Sequence, residues 1–355
     1  MPPGFTALLP LGVLFMLIVP PACAGEAEVV RDVLGYLDRF ELSEITGTEI
    51  TEQADSAVEC RFSLMRIADG RGWRELSFSR SGGAGAADPG SNPTSQPARK
   101  FAHIELVVPG DGMLYTFQEN LHHEGKVGRS MVFVADEPAR GHKLFAFDGS
   151  APAGWSQTDS RPLAEIIRAS KSVHVADAGD APAVAVVTCE SEDGTHLIEF
   201  DRAAKFVRRV HVQKRPGDLY YHDGRIGQPL GRRKSADGQP VSCTQFEWDM
   251  RVVEVQSAGG VTVPRTFVVT SNADLSDGST SKLKATITWE KVVFGDAVPV
   301  RERLRPDFPD GTPAAEVGNS ATAGIPKEWR AGKIVTRVDY KRFEDIKETI
   351  RGNRP

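Results

Sequence analysis

The sequence predicts a mainly β protein of the α+β class, in which the strands follow one another as an antiparallel meander. Many short segments alternate apolar and polar side chains, which is typical of strands with one buried face. Turn dipeptides such as Asp148-Gly149 and Asp193-Gly194 separate several of these segments, as in hairpins. Helical periodicity is confined to a few short stretches, so a sheet should form the body of the molecule.

The pattern of residues at the N-terminus predicts a secretory signal. An almost unbroken apolar run, Ala7–Val19, is followed by Pro20-Pro21 and by the small-x-small site Ala22-Cys23-Ala24. The run is shorter than the roughly 20 residues that a helix needs to cross a bilayer. Residues 1–24 are therefore predicted to be cleaved, leaving a periplasmic or extracellular protein. Lipid attachment at Cys23 is the less favoured alternative, because the residues before it match such a site poorly.

Composition excludes some classes of partner. The formal net charge of -5 provides no basic surface for nucleic acid. No second apolar stretch approaches membrane-spanning length, so the mature chain is expected to have no transmembrane anchor.

Cysteine usage leaves two interpretations open. Cleavage would remove Cys23 and leave Cys60, Cys189 and Cys243 in an oxidising compartment. Cys189 and Cys243 lie in strand-like stretches of the same half of the chain, so they are the preferred disulfide pair. Three buried, unpaired thiols are an equally good interpretation.

The predicted elements begin with an amphipathic helix over Glu26–Phe40, in which Val29, Val33 and Leu37 share one face. Ser160 can cap a short covering helix that continues through Ser170, and the tail Tyr340–Ile350 is another candidate helix. The predicted strands are Ala57–Ile67, Trp73–Phe78, Phe101–Val108, Met113–Gln118, Met131–Ala135, Leu144–Phe147, Val184–Cys189, Thr195–Phe200, Phe206–Gln213, Phe246–Val255, Val261–Thr270 and Leu283–Phe294.

Domain organisation follows from composition. Residues 25–312 are predicted to form one sheet domain, interrupted by a disordered insertion over residues 81–98 that is rich in Gly, Ser, Pro and Ala. Residues 313–355 combine a Gly/Pro-rich segment with the C-terminal helix.

Motifs for catalysis or metal binding are not found in the sequence. There is no nucleophile elbow and no His-Glu-x-x-His helix, and Ser63 and Ser77 lie in strand patterns without a nearby base. In the cluster His122-His123-Glu124, adjacent residues of an extended chain point to opposite sides, which disfavours a shared metal ion. The prediction is a protein with no catalytic residues, metal or cofactor.

One loop is a candidate for partner recognition. Tyr220, Tyr221, His222 and Asp223 lie in a polar, Gly-rich stretch, where exposed aromatic and charged side chains make useful contacts. An ordinary solvated loop is the alternative.

Three segments carry a resemblance to a known family. They are Leu144–Gly149 before Trp155, the hairpin run from Thr195 through Val210, and the closing stretch Arg305–Thr312. Together with the order of elements, they resemble the periplasmic lipoprotein-carrier superfamily of LolA/LolB-like and RseB-like proteins. The resemblance implies a strongly curved antiparallel sheet, a half-open β-barrel closed by helices around an apolar cavity.

The leading hypothesis is an exported, non-enzymatic envelope protein that binds a lipid, acyl chain or lipoprotein in that cavity. The alternative is an interaction or sensor module that binds an envelope protein, and a hydrolase is the third choice. Eight apolar side chains are expected to line the interior: Leu114, Phe117, Leu144, Phe147, Phe246, Trp248, Ile287 and Trp289.

Overall fold

The computed structural model of the chain describes residues 24–53, 56–67, 69–81, 99–123, 126–136, 148–156, 159, 161–179, 181–220, 224–317 and 325–337. The predicted signal up to Cys23, the insertion after Ser81, the predicted strand Leu144–Phe147 and the predicted tail helix lie outside these residues.

Helices are few and short. The first, α1, spans Ala24–Asp38 and continues as a 3-10 turn over Arg39–Glu41, which confirms the predicted N-terminal helix. The covering helix α2 spans Leu163–Ala169 and α3 spans Val300–Arg303, while Asp148–Ala153 and Gly295–Ala297 are 3-10 turns. Among the described residues, no helix combines the length and the apolar character that a membrane crossing requires.

The strands make up most of the fold. They are β1 (Leu42–Gln53), β2 (Ser56–Ile67), β3 (Gly72–Ser81), β4 (Arg99–Val108), β5 (Met113–His123), β6 (Lys126–Asp136), β7 (Ser172–Ala178), β8 (Ala181–Ser191), β9 (Gly194–Asp201), β10 (Phe206–Lys214), β11 (Leu219–Tyr220), β12 (Gly224–Arg225), β13 (Pro229–Lys234), β14 (Pro240–Ala258), β15 (Val261–Leu275), β16 (Thr280–Phe294), β17 (Pro313–Glu316), β18 (Lys327–Arg330) and β19 (Lys333–Thr336).

One large, curved and open sheet contains nearly all of these strands. Its hydrogen-bonded order is β7-β8-β9-β10-β14-β15-β16-β1-β2-β3-β4-β5-β6-β17-β18-β19. Strand β13 pairs with the beginning of β14, and β11 and β12 form a separate small hairpin. Every pair is antiparallel except β6 with β17, so the predicted fold class is confirmed.

Strand β1 was missed by the sequence analysis, although it joins the two halves of the sheet by pairing with both β2 and β16. Half of its residues are Thr or Glu, which weakens the apolar alternation that identifies a strand. At Gly47 a Cβ atom would lie 2.2 Å from the carbonyl oxygen of Thr288, so the bulge between β1 and β16 requires glycine.

The main core lies on one face of the sheet. Val33 and Phe40 from the N-terminal helical segment, Leu163 and Ile167 from α2, and the turn Asp148–Ala153 pack there against strands from both halves. The amphipathic stripe of α1 therefore faces the sheet, as its spacing predicts.

A second core lies on the opposite face of β2–β6. Phe117 of β5 stacks on Phe308 at 5.7 Å between ring centroids, and Phe308 contacts Trp329 of β18 at 5.2 Å. Arg303 of α3 lies over the Trp73 ring at 4.1 Å and forms an ion pair with Glu44 at 2.9 Å. The described residues after Phe294 thus pack on this face or extend the sheet, and residues 313–355, predicted to combine a Gly/Pro-rich segment with a helix, contain strands β17–β19.

Candidate functional site

The side chains predicted to line a cavity are mainly core residues. Phe246, Trp248, Ile287 and Trp289 are buried in the main core, and the last two are 0% exposed. Phe117 is buried in the second core on the opposite face, while Leu114 is half-buried beside Leu106 and Val108. Leu144 and Phe147 lie outside the described residues. The structure therefore distributes the predicted set over both faces of the sheet.

The 3-10 turn Asp148–Ala153 lies in the interior and accepts hydrogen bonds from both tryptophans of the predicted set. Trp248 donates its indole N–H to Asp148 Oδ1 at 3.2 Å, and Trp289 donates to the carbonyl oxygen of Gly149 at 2.7 Å. Phe40 and Phe267 pack edge-on against Trp289, with ring centroids at 5.8 and 5.7 Å. The polar atoms of both indoles are satisfied, and their rings have protein neighbours on several sides.

Two carboxyl groups lie close to this turn. Burial, and then the charge of Asp148, raise the pKa of Glu49 to about 7, against the hydrogen bond that Thr51 Oγ1 donates at 3.2 Å. Burial raises the pKa of Asp148 to about 6, although the Trp248 N–H opposes this shift. Both groups therefore change protonation close to neutral pH, where an ordinary carboxyl is fully ionised.

A buried ionic cluster anchors the region around the candidate recognition loop. Lys214 is 0% exposed and donates to Asp159 Oδ1 at 2.9 Å and to the carbonyl oxygens of Asp193 and Leu219 at 2.6 and 3.0 Å. His196 Nε2 lies 3.1 Å from the same carboxylate. Burial alone would raise the pKa of Asp159, but the charges and hydrogen bonds of Lys214 and His196 outweigh it and lower the pKa to about 2.

Lys214 thus joins β10 to the chain segment that carries the predicted recognition loop. Tyr220 is half-buried, with its ring 5.0 Å from that of Phe246, and it pairs with Gly224 in the β11–β12 hairpin. Tyr221, His222 and Asp223 lie outside the described residues. A partner-binding role for this loop stays a prediction.

An open groove of about 710 Å³ lies on the face opposite the main core. Its position follows from strand alternation: Trp248 and Met250 face the core, so Glu247 and Asp249 face the groove. One row of cross-strand neighbours runs from β10 to β1 through His211, Asp249, Thr270, Lys284 and Glu52. The other lining residues are Glu247, Trp248, Ser271, Asn272, Lys282 and Leu283.

The groove carries charges of both signs. Lys284 Nζ forms an ion pair with Glu52 at 2.8 Å, and Arg209 Nε donates to Asp249 Oδ1 at 2.6 Å. His211 Nδ1 lies 3.5 Å from the same carboxylate oxygen. We find no ion pair for Lys282 within the described part of the chain. Such a surface can form hydrogen bonds and ion pairs along the row, which sequence reasoning missed because it depends on strand order.

A second polar arrangement contradicts the expectation that Ser77 has no nearby base. Ser77 of β3 lies directly opposite His103 of β4, and Ser77 Oγ is 3.0 Å from His103 Nδ1. The predicted insertion separates these strands along the chain, so their register does not follow from the sequence. The sequence therefore did not predict that the two side chains are neighbours.

Metal-ligand geometry is not found in the described ranges, where no group of three or more His, Cys, Asp or Glu side chains could hold an ion. His122 and His123 lie on β5, but their side chains and Glu124 are outside what the structure describes.

The predicted Cys189–Cys243 disulfide is wrong for this structure, in which Cys60, Cys189 and Cys243 are buried, free thiols. Cys189 lies on β8 and Cys243 on β14, with β9 and β10 between them. Three strand spacings alone put the two strands roughly 14 Å apart, and a disulfide needs Cα atoms within about 7 Å.

Comparisons with known proteins find matches among solved structures only, all at low sequence identity. No family model matches the chain, and no curated protein matches it significantly. A domain described as an outer membrane lipoprotein-sorting protein from Vibrio parahaemolyticus is 9% identical over 77% of this chain and 96% of that chain, with a TM-score of 0.34. LprF from Mycobacterium bovis is 10% identical over 78% and 97% of the two chains, with a TM-score of 0.27.

A chain of the MucA/MucB complex from Pseudomonas aeruginosa is also similar, at 12% identity over 79% of this chain and 100% of that chain, with a TM-score of 0.22. Because every one of these TM-scores is below 0.5, the activities and partners of these proteins do not transfer to this chain.

Proposed function

We propose that this chain is an exported binding protein of the cell envelope whose groove holds an extended segment of a partner protein. The proposal is based on which face of the sheet has room for a ligand. Trp248, Ile287 and Trp289, where an interior ligand would lie, are packed against the chain's own helices and turn. The groove of about 710 Å³ is on the opposite face and is accessible.

The chemistry of the groove suits a peptide better than an acyl chain. A peptide backbone presents N–H donors and C=O acceptors, and the groove offers hydroxyl, amide, ammonium and carboxylate groups in return. Lys284 and Glu52 are cross-strand neighbours with opposite charges. This arrangement favours a partner segment of mixed charge over a polyanion.

Photo-crosslinking tests the location of binding. A benzophenone amino acid at exposed Thr270, inside the groove, should give one discrete protein adduct in the envelope fraction. The same probe at Asp237, in an exposed turn that does not line the groove, should not give this adduct. Equal adducts at both positions would contradict the proposed site.

A charge swap separates recognition from folding. In the double variant Glu52→Lys/Lys284→Glu the exposed ion pair is kept but its direction is reversed, so the stability should change by less than about 1 kcal/mol. The Thr270 adduct should fall at least about fivefold, as expected when complementary charges become repulsive. An unchanged adduct would show that these charges do not recognise the partner.

Acyl-chain or lipoprotein binding is a second candidate, favoured by one observation. On the core-side face of β4–β6, Ile104 and Leu114 are half-buried and Met131 is 38% exposed, so partly accessible apolar side chains lie on either side of Gln118. Native mass spectrometry of residues 25–355, purified without detergent from an envelope fraction, distinguishes the candidates. The groove proposal expects an apo mass, and a stoichiometric acyl adduct lost in Leu114→Asp would favour lipid binding instead.

A further inference from the structure

Ser77 of β3 has neighbouring side chains that are arranged as nucleophilic chemistry requires. Its hydroxyl is half-buried and lies 3.0 Å from His103 Nδ1, within hydrogen-bond reach. The two residues are direct cross-strand partners on β3 and β4, so paired backbones hold their side chains together. A site built on strands is positioned more rigidly than one on a loop.

The second nitrogen of the imidazole has a carboxylate neighbour. His103 Nε2 lies 3.8 Å from Glu75 Oε1, also on β3. When Nδ1 accepts the Ser77 proton, Nε2 must carry the other proton, and a nearby carboxylate stabilises that tautomer and the imidazolium that forms. The ring packs edge-on against Phe117 at 6.0 Å, and only 14% of the side chain is exposed, so its orientation is restricted.

A cation lies on the other side of the serine. Arg61 of β2 is the direct cross-strand partner of Ser77, so the lateral order is Arg61, Ser77, His103. Its side chain is 78% exposed and lies 3.0 Å from the Glu59 carboxylate. A guanidinium next to a nucleophile can stabilise the negative charge that develops on a carbonyl oxygen under attack.

We propose that Ser77 is an activated serine that accepts an acyl group from a carboxylic ester. Ser77 Oγ forms a bond to the ester carbonyl carbon while its proton moves to His103 Nδ1. The bond from that carbon to the leaving oxygen then breaks, and the imidazolium returns the proton to the departing alkoxide. The products are an acyl-serine and an alcohol, with no oxidant or reductant required.

Covalent labelling tests the proposal directly. The full mature chain is incubated with a fluorophosphonate and separately with p-nitrophenyl acetate, and the adduct is located by intact-mass and peptide mass spectrometry. We expect a single adduct on Ser77, lost in Ser77→Ala and retained in Ser79→Ala, a matched change on the same face of the same strand. Labelling of Ser79 at an equal rate, or no labelling, would overturn the proposal.

The pH profile isolates the role of His103. The acylation rate should rise with pH through a single ionisation, since only the neutral imidazole accepts the proton. His103→Gln, which retains a polar side chain opposite Ser77, should lower the rate at least about 100-fold and abolish this pH dependence while the fold is preserved by circular dichroism. A pH dependence that persists in His103→Gln would show that another group is the base.

Discussion

Replacing Glu49 by glutamine is expected to stabilise the protein at pH 8 and to have little effect near pH 4. The folded-state pKa of Glu49, about 7, lies above its ordinary value of 4.5 because the half-buried carboxyl is partly removed from water and Asp148 is close. The folded protein therefore holds this proton at pH values where the unfolded chain has released it. Stability is greatest below the unfolded pKa and falls as the pH rises through about 7, and the loss is complete only above that folded-state pKa.

The size of the effect follows from the same two pKa values. Each pH unit between 4.5 and about 7 corresponds to about 1.4 kcal/mol, so ionisation of Glu49 costs on the order of 3 kcal/mol above pH 8. Glutamine has nearly the same shape and cannot ionise. Its amide oxygen can still accept the hydrogen bond from Thr51, which isolates the charge as the variable.

Urea unfolding monitored by tryptophan fluorescence measures this difference. Glu49→Gln should raise the free energy of unfolding by about 2 to 3 kcal/mol at pH 8 and by less than about 0.5 kcal/mol at pH 4. The control, Glu52→Gln, lies on the same strand with its side chain 54% exposed, and removing its surface ion pair should change stability by less than about 1 kcal/mol at either pH. An equal gain at both pH values, or a loss at pH 8, would refute a raised pKa for Glu49.

Three further predictions concern the core and the cysteines. Lys214→Met should cost about 3 to 5 kcal/mol in urea unfolding, because it leaves the buried Asp159 carboxylate without its cation; a loss under about 1 kcal/mol would contradict this role. Gly47→Ala should cost at least about 2 kcal/mol and lower the Tm, since the added Cβ would meet the Thr288 oxygen; an unchanged Tm would contradict the close approach. Thiol titration of unfolded, unreduced mature protein should detect all of Cys60, Cys189 and Cys243, whereas a single reactive thiol would indicate a disulfide.

Local patterns in the sequence were sufficient for most elements of the fold. The spacing of Val29, Val33 and Leu37 identified α1, and the Asp-Gly turn at Asp193 marked the hairpin between β8 and β9. These features depend on residues close together in the chain, where side-chain period and turn chemistry determine the backbone conformation. The mainly β, antiparallel character of the molecule was therefore predictable from the residues alone.

Tertiary structure decided what the sheet encloses and which polar side chains meet. The alternation of side chains predicted that Trp289 and Ile287 lie on the buried face of the sheet. The same pattern is compatible with an open cavity and with a core filled by the chain itself. Only the placement of the Asp148–Ala153 turn shows that the core is filled. Strand register likewise brought His103 to Ser77 across the predicted insertion and put two strands between Cys189 and Cys243. Alternation specifies which face a side chain occupies, whereas neighbours across a sheet depend on pairing between distant segments, which no local pattern encodes.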